Sequence, residues 1–157
     1  MGFERHIKSL NNQDGNSYQT KEGIWDIKKK QLFLSRDPFG EKPLYYGWTG
    51  SGVGNTFVFG SELKALRAFP GFVKLVCRGA LAQYMRFMYV PAPRSIYQGI
   101  YKLEPGCLLS IKGAAPIVAP SQPLRPPAVY ESLTLSRWWS LANVVQFGVH
   151  ILITDEV

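Results

Sequence analysis

Apolar positions change their spacing several times along this chain, and each change marks an expected element. Residues 1–22 are polar, centred on Asn11-Asn12-Gln13-Asp14-Gly15-Asn16-Ser17, with neither helical nor strand periodicity. They read as a divergent, loose tail. Order is expected from Gly23. Ile24-Trp25-Asp26-Ile27 and Leu32-Phe33-Leu34 flank Lys28-Lys29-Lys30, which predicts two antiparallel strands around a solvated turn. Leu32, Phe33 and Leu34 are consecutive apolar residues, so both faces of that strand should be covered, by a second sheet and by a helix layer. A second hairpin is predicted from Leu44 to Trp48 and from Thr56 to Gly60. The glycines between them invite a phosphate-loop reading, but a strand follows them rather than a lysine and a helix, so they make a hairpin loop.

Two helices come next. Ser61 is placed to cap the first, with Glu62 complementing the positive end of its dipole. Leu63 and Leu66 give that helix a buried side, and Pro70-Gly71 ends it. The second helix runs from about Gly79 to Met88, and Leu81, Tyr84, Met85 and Met88 form one apolar face expected to lie in the core. Val90-Pro91-Ala92-Pro93 should be extended. Leu108 to Ile111 is the last expected strand, after the Glu104-Pro105-Gly106 turn. Five of the eleven prolines fall in residues 116–127, which predicts a stiff linker over 116–136. Residues 137–157 then read as the truncated lead-in to another unit.

Composition changes this picture little. The 157 residues are 46% hydrophobic and 18% charged, the balance of an ordinary globular chain of about one domain. The net charge of +7 raises nucleic acid as a partner. However, the one compact basic run sits in an expected turn, and the aromatics lie in core-like strands rather than beside a basic groove. Nucleic acid is therefore not the expected partner. Cys77 and Cys107 have neither metal nor redox spacing and read as reduced, mostly buried thiols. Met1-Gly2 lacks the rest of a myristoylation motif, because His6 stands where Ser or Thr is needed. No signal-peptide pattern and no apolar run of membrane-spanning length occurs, so a cytoplasmic chain with no membrane partner is expected.

The chemistry-bearing pattern is the run from Arg36 to Gly47, Arg-Asp-Pro-Phe-Gly-Glu-Lys-Pro-Leu-Tyr-Tyr-Gly. Within it, Asp37-Pro38-Phe39-Gly40 has the composition of a type I turn. Phe59-Gly60-Ser61-Glu62-Leu63-Lys64-Ala65-Leu66, Tyr89 to Ile100 and Lys102-Leu103-Glu104-Pro105-Gly106 follow at compatible spacing. Together these blocks resemble the later part of the glutaminase domain, and the interdomain connector, of the glutamine-dependent asparagine synthetases. Other class II glutamine amidotransferases share the Arg-Asp-Pro-x-Gly loop but are less similar beyond it.

The resemblance implies an α+β fold: an incomplete αββα sandwich of the N-terminal-nucleophile type over residues 23–115, followed by the Pro-rich linker. It implies a family in which glutamine is hydrolysed and the ammonia aminates an aspartyl adenylate made with ATP and magnesium in a second domain. It also implies signature scaffold positions at Arg36, Asp37, Gly40, Lys42, Pro43, Ser61 and Glu62, fixing loops and sheet ends rather than reacting.

That family's nucleophile is an N-terminal cysteine whose own α-amine, titrating near 8, serves as base. Residue 2 here is Gly, and Cys77 and Cys107 are internal. A cysteine–histidine substitute would need His6 or His150, both in the divergent ends. The family's Ser-Gly-Gly-x-Asp-Ser pyrophosphate loop does not occur in the 157 residues. No catalytic, cofactor-binding or metal-binding residue is therefore expected in this stretch. The expectation is a stretch of synthetase sequence inactive by itself, with two alternatives: a half-domain that needs a complementary chain, or a non-enzymatic basic binding module. Where family members commonly cap the second helix with aspartate, this chain has Cys77, and Gly79 stands where they have a better helix former. Each change costs about 1 kcal/mol.

Overall fold

The computed structural model describes residues 17–19, 23–50 and 55–146. The expected glycine loop at 51–54, most of the expected tail, His6, His150 and the end of the expected lead-in lie outside the described residues.

Among the described residues the elements follow in the order β1 (Ser17–Gln19), β2 (Gly23–Asp26), β3 (Gln31–Ser35), β4 (Tyr45–Thr49), β5 (Thr56–Gly60), α1 (Leu63–Arg67), α2 (Arg78–Phe87), β6 (Ile100–Lys102), β7 (Cys107–Lys112), β8 (Ala128–Tyr130) and β9 (Leu133–Arg137), with residues 141–146 also helical. They form a mixed α and β structure with two antiparallel sheets. The larger has the order β1-β2-β3-β7-β9-β8 and the smaller β5-β4-β6. Both expected hairpins are present: Trp25 pairs with Leu32 across β2 and β3, and Gly47 with Val58 across β4 and β5. The lysine run is the β2–β3 turn, where the Asp26 carboxylate accepts from the Lys29 amide at 2.9 Å.

Leu32 and Leu34 from β3, Leu109 and Ile111 from β7, and Leu133 and Leu135 from β9 share one buried cluster with Tyr46, Trp48, Phe57 and Tyr101 of the smaller sheet. The two sheets therefore meet through a common apolar layer. Strand alternation produces it: β3 is buried at Leu32 and Leu34, while Phe33 between them is half-buried. Full cover on both faces of β3 was expected, and the outer face has it only in part. On the far side of the smaller sheet, Val58 and Ile100 pack with Leu66 of α1 and Phe72.

Several expectations are corrected. Residues 17–19 are a strand rather than loose tail, with Tyr18 paired to Trp25. The N-cap of α1 is Glu62 and not Ser61, because Glu62 is still extended at φ −128° and ψ 133°; its side chain makes no capping bond. Ala92 and Pro93 form a turn, with the Arg94 amide donating to the Pro91 carbonyl at 3.1 Å.

The largest correction concerns α2. Its boundaries agree with the periodicity, but Leu81, Tyr84, Met85 and Met88 face solvent, Met85 at 73% and Met88 at 76% exposure. Only Ala80 of this helix is buried. Amphipathic spacing identifies a face that needs cover without saying what covers it.

The Pro-rich stretch lies against the core rather than running clear of it. Trp48 Nε1 donates to the Pro116 carbonyl at 2.6 Å and the Tyr101 hydroxyl to that of Pro120 at 3.0 Å, while Ala119 and Leu124 pack on the main cluster. Residues 128–137, expected as linker and the start of a lead-in, form β8 and β9 of the larger sheet. Leu109 of β7 pairs with Leu135 of β9. The alternation Leu133-Thr134-Leu135-Ser136 was the available signal for that strand.

Candidate functional site: the Arg36 loop and the Arg94 cleft

The expected turn over residues 37–40 forms. The Gly40 amide donates to the Asp37 carbonyl at 3.2 Å, and the Asp37 carboxylate accepts from the Glu41 amide at 3.0 Å. Gly40 is required on two counts. Its φ is +69°, and a Cβ there would lie 2.7 Å from the Pro105 side chain and 3.0 Å from Arg36 Nη2.

Arg36 leaves the end of β3 and turns inward, 9% exposed. Its guanidinium donates to three carbonyls: Nε to Lys42 at 2.9 Å, Nη1 to Leu103 at 2.7 Å and Nη2 to Gly40 at 2.8 Å. A planar fork of donors can satisfy three diverging carbonyls at once, which an ammonium cannot do with the same geometry. The side chain thereby ties its own loop to the strand-end residue Leu103 behind β6. Burial pulls the Arg36 pKa below the ordinary arginine value, and the Asp37 carboxylate opposes that shift. The Glu41 amide is the largest influence on Asp37 and holds its carboxyl below the usual range, with partial burial opposing.

The other signature positions serve the same frame. Lys42 contributes its main-chain carbonyl while its side chain is exposed, and Pro43 is half-buried just before the buried Leu44. Ser61 is half-buried in the turn between β5 and α1, and Glu62 is exposed at the start of α1. Thus Arg36, Asp37, Gly40, Lys42 and Pro43 come together in one loop, whereas Ser61 and Glu62 belong to a separate corner.

Cys107 is fully buried, and that burial pushes its thiol pKa up, away from the thiolate form that reacts. Cys77, half-buried, is the N-cap of α2 and makes no capping bond. Its sulfur instead accepts from Arg94 Nη1 at 3.8 Å. Sequence reasoning did not single out Arg94. It stands between two adjoining clefts of about 400 Å³ and about 270 Å³, with Gln122 and Pro123 also common to both. Among the described residues, no group of three or more His, Cys, Asp or Glu side chains gathers as metal ligands would, and no helix is long and apolar enough to cross a membrane.

Residues 22–119 match the glutamine amidotransferase domain family. A Methanocaldococcus jannaschii protein, named as a candidate glutamine-hydrolysing asparagine synthetase 2, is 41% identical over 83 residues, 52% of this chain and 15% of its own length. A Mycobacterium tuberculosis protein with a similar candidate name is 37% identical over 100 residues, 60% of this chain and 15% of its own. Asparagine synthetase [glutamine-hydrolyzing] 1 of Bacillus subtilis is 36% identical over 89 residues, 57% of this chain and 13% of its own. The chain spans only a small part of the relatives it matches.

Proposed function

This chain belongs to the glutamine amidotransferase domain family, and on that premise we propose that it supplies the later, scaffolding part of a glutaminase domain of asparagine synthetase type. In this reading its two sheets are the central layers of an αββα, N-terminal-nucleophile sandwich, and the residues after β9 lead on toward a synthetase domain. The parent reaction takes glutamine, aspartate and magnesium-bound ATP to asparagine. Hydrolysis of glutamine and use of ATP reside in residues other than those described.

The supporting observation is the Arg36 loop. Every strong polar contact of its guanidinium is to a main-chain carbonyl of the protein itself, so Arg36 holds the loop and the sheet ends together and has no role as a reacting group. The basic binding module has less support, since Tyr46, Trp48, Phe57 and Tyr101 are buried in the core and not available for stacking on bases.

Purified as these 157 residues, the chain should release no ammonia from glutamine above a no-protein blank. Ammonia release that persists in a chain with both Cys77 and Cys107 changed to Ser would overturn the scaffolding reading, as would release abolished by either single change.

A further inference from the structure

We propose that the cleft around Arg94 and Arg125 binds a small oxyanion, a phosphate or carboxylate group. The smaller cleft is lined by Gln83, Arg94, Gln122 and Arg125, with Ala92 and Pro93 as its apolar wall. Arg94 is half-buried. The acceptor its guanidinium meets is the Cys77 sulfur at 3.8 Å, a weak and neutral partner for a charged donor. Among the described residues, no carboxylate pairs with it.

Its location makes the missing counter-charge more telling. Arg94 Nη1 lies 3.5 Å from where a Cβ on Gly79 would sit, beside the first turn of α2. That turn carries no acidic residue and no side-chain cap, so a cation is held near the positive end of a ten-residue helix. A half-buried guanidinium in that position gains from an anion beside it.

The second arginine points the same way. Arg125 Nη1 reaches Glu104 Oε1 at 3.6 Å, and Arg137 bonds the other oxygen of the same carboxylate. One carboxylate is thus shared by two guanidiniums, and the neighbourhood keeps an excess positive charge. Among the described residues, buried Gln83 Oε1 meets no hydrogen-bond donor, which leaves an acceptor for a hydroxyl on the bound group. Two forked donors, an amide and an apolar wall form a receptor for a compact, oxygen-rich anion. Nothing in this argument depends on the glutaminase reading.

The test titrates the whole chain with sodium phosphate and, separately, with sodium acetate. Sodium chloride of matched ionic strength is the reference, and backbone amide shifts are followed by NMR. Saturable shifts at Gly79, Arg94 and Gln122 with phosphate, acetate or both, but not with chloride, are the expected result. The stronger of the two ligands identifies the source of the oxyanion. Two variants then locate the site. Cys77→Asp places a carboxylate where Arg94 already points, and should weaken binding at least about tenfold while leaving the unliganded fold intact or firmer. Arg125→Gln, at an exposed side chain, should weaken it comparably. Shifts that fail to saturate, that chloride reproduces, or that survive both variants unchanged would overturn the proposal.

Discussion

The Arg36 guanidinium closes three carbonyls that come from residues near and far in the sequence: Gly40, Lys42 and Leu103. Arg36→Gln would leave two or three of these carbonyls buried without donors. It should lower stability by about 3 kcal/mol or more, read as a shift in the urea midpoint at an unchanged slope. Arg36→Lys should recover little of this, because one ammonium cannot reproduce the fork. Asp37 carries a pH consequence. Its carboxyl titrates below its ordinary value near 4, so its contribution is present at neutral pH and is lost as the pH falls through the depressed folded value. Asp37→Asn should therefore be less stable than the parent at neutral pH, with the two converging in acid; parallel stability–pH curves would contradict this. The turn itself was legible from Asp-Pro-x-Gly, since each of those residues meets a local backbone demand. The role of Arg36 could not be read, because Leu103 is 67 residues away. Arg94 escaped notice for a similar reason: what singles it out is that no carboxylate among the described residues pairs with it, and only the folded chain defines that surrounding.

Among the elements, α2 departs furthest from local rules. It begins at an uncapped Cys77 and ends at Met88 in the left-handed region, φ +62°. A left-handed residue past a helix is usually glycine, because a Cβ is disfavoured there. Met88→Gly should therefore stabilise the protein by about 1 kcal/mol, even though glycine elsewhere in a helix destabilises it. A higher thermal midpoint checks this, and a lower one would mean that the Met88 side chain matters more than its backbone. Hairpins β2–β3 and β4–β5 were legible because their signals are local: alternation, a charged turn, a glycine-rich loop. The cover of α2 was not, because periodicity is a property of the helix while burial belongs to its neighbours. Strand β9 showed the correct alternation, but five prolines ahead of it suggested separation. The core aromatics Trp48 and Tyr101, which bind that stretch through its carbonyls, reverse the inference.

At the scale of the whole molecule, apolar surface is concentrated around α2. Leu75, Val76, Leu81, Tyr84, Met85, Phe87, Met88 and Tyr89 are all exposed, a cluster larger than isolated surface hydrophobes produce. The chain should self-associate as its concentration rises. Changing Tyr84, Met85 and Leu81 together to Gln should reduce this without lowering the thermal midpoint, since these side chains contribute little to either core cluster. Light scattering across a dilution series would show the difference. A midpoint that fell with the triple change would mean that the face is covered within the folded chain after all.

The order of strands in the larger sheet has a consequence for synthesis. β3 has β2 on one side and β7 on the other, with Gln31 opposite Lys112, and β7 in turn waits for β9, where Cys107 meets Arg137. A nascent chain that has emerged only as far as α2 holds hairpins whose central partner is still inside the ribosome. Closing so distant a pairing is slow compared with forming a hairpin. Throughout that interval the inner edge of β3 and its leucines are open to any passing strand. The larger sheet, whose central pairings close last, is thus the one most open to mispairing while the chain is being made.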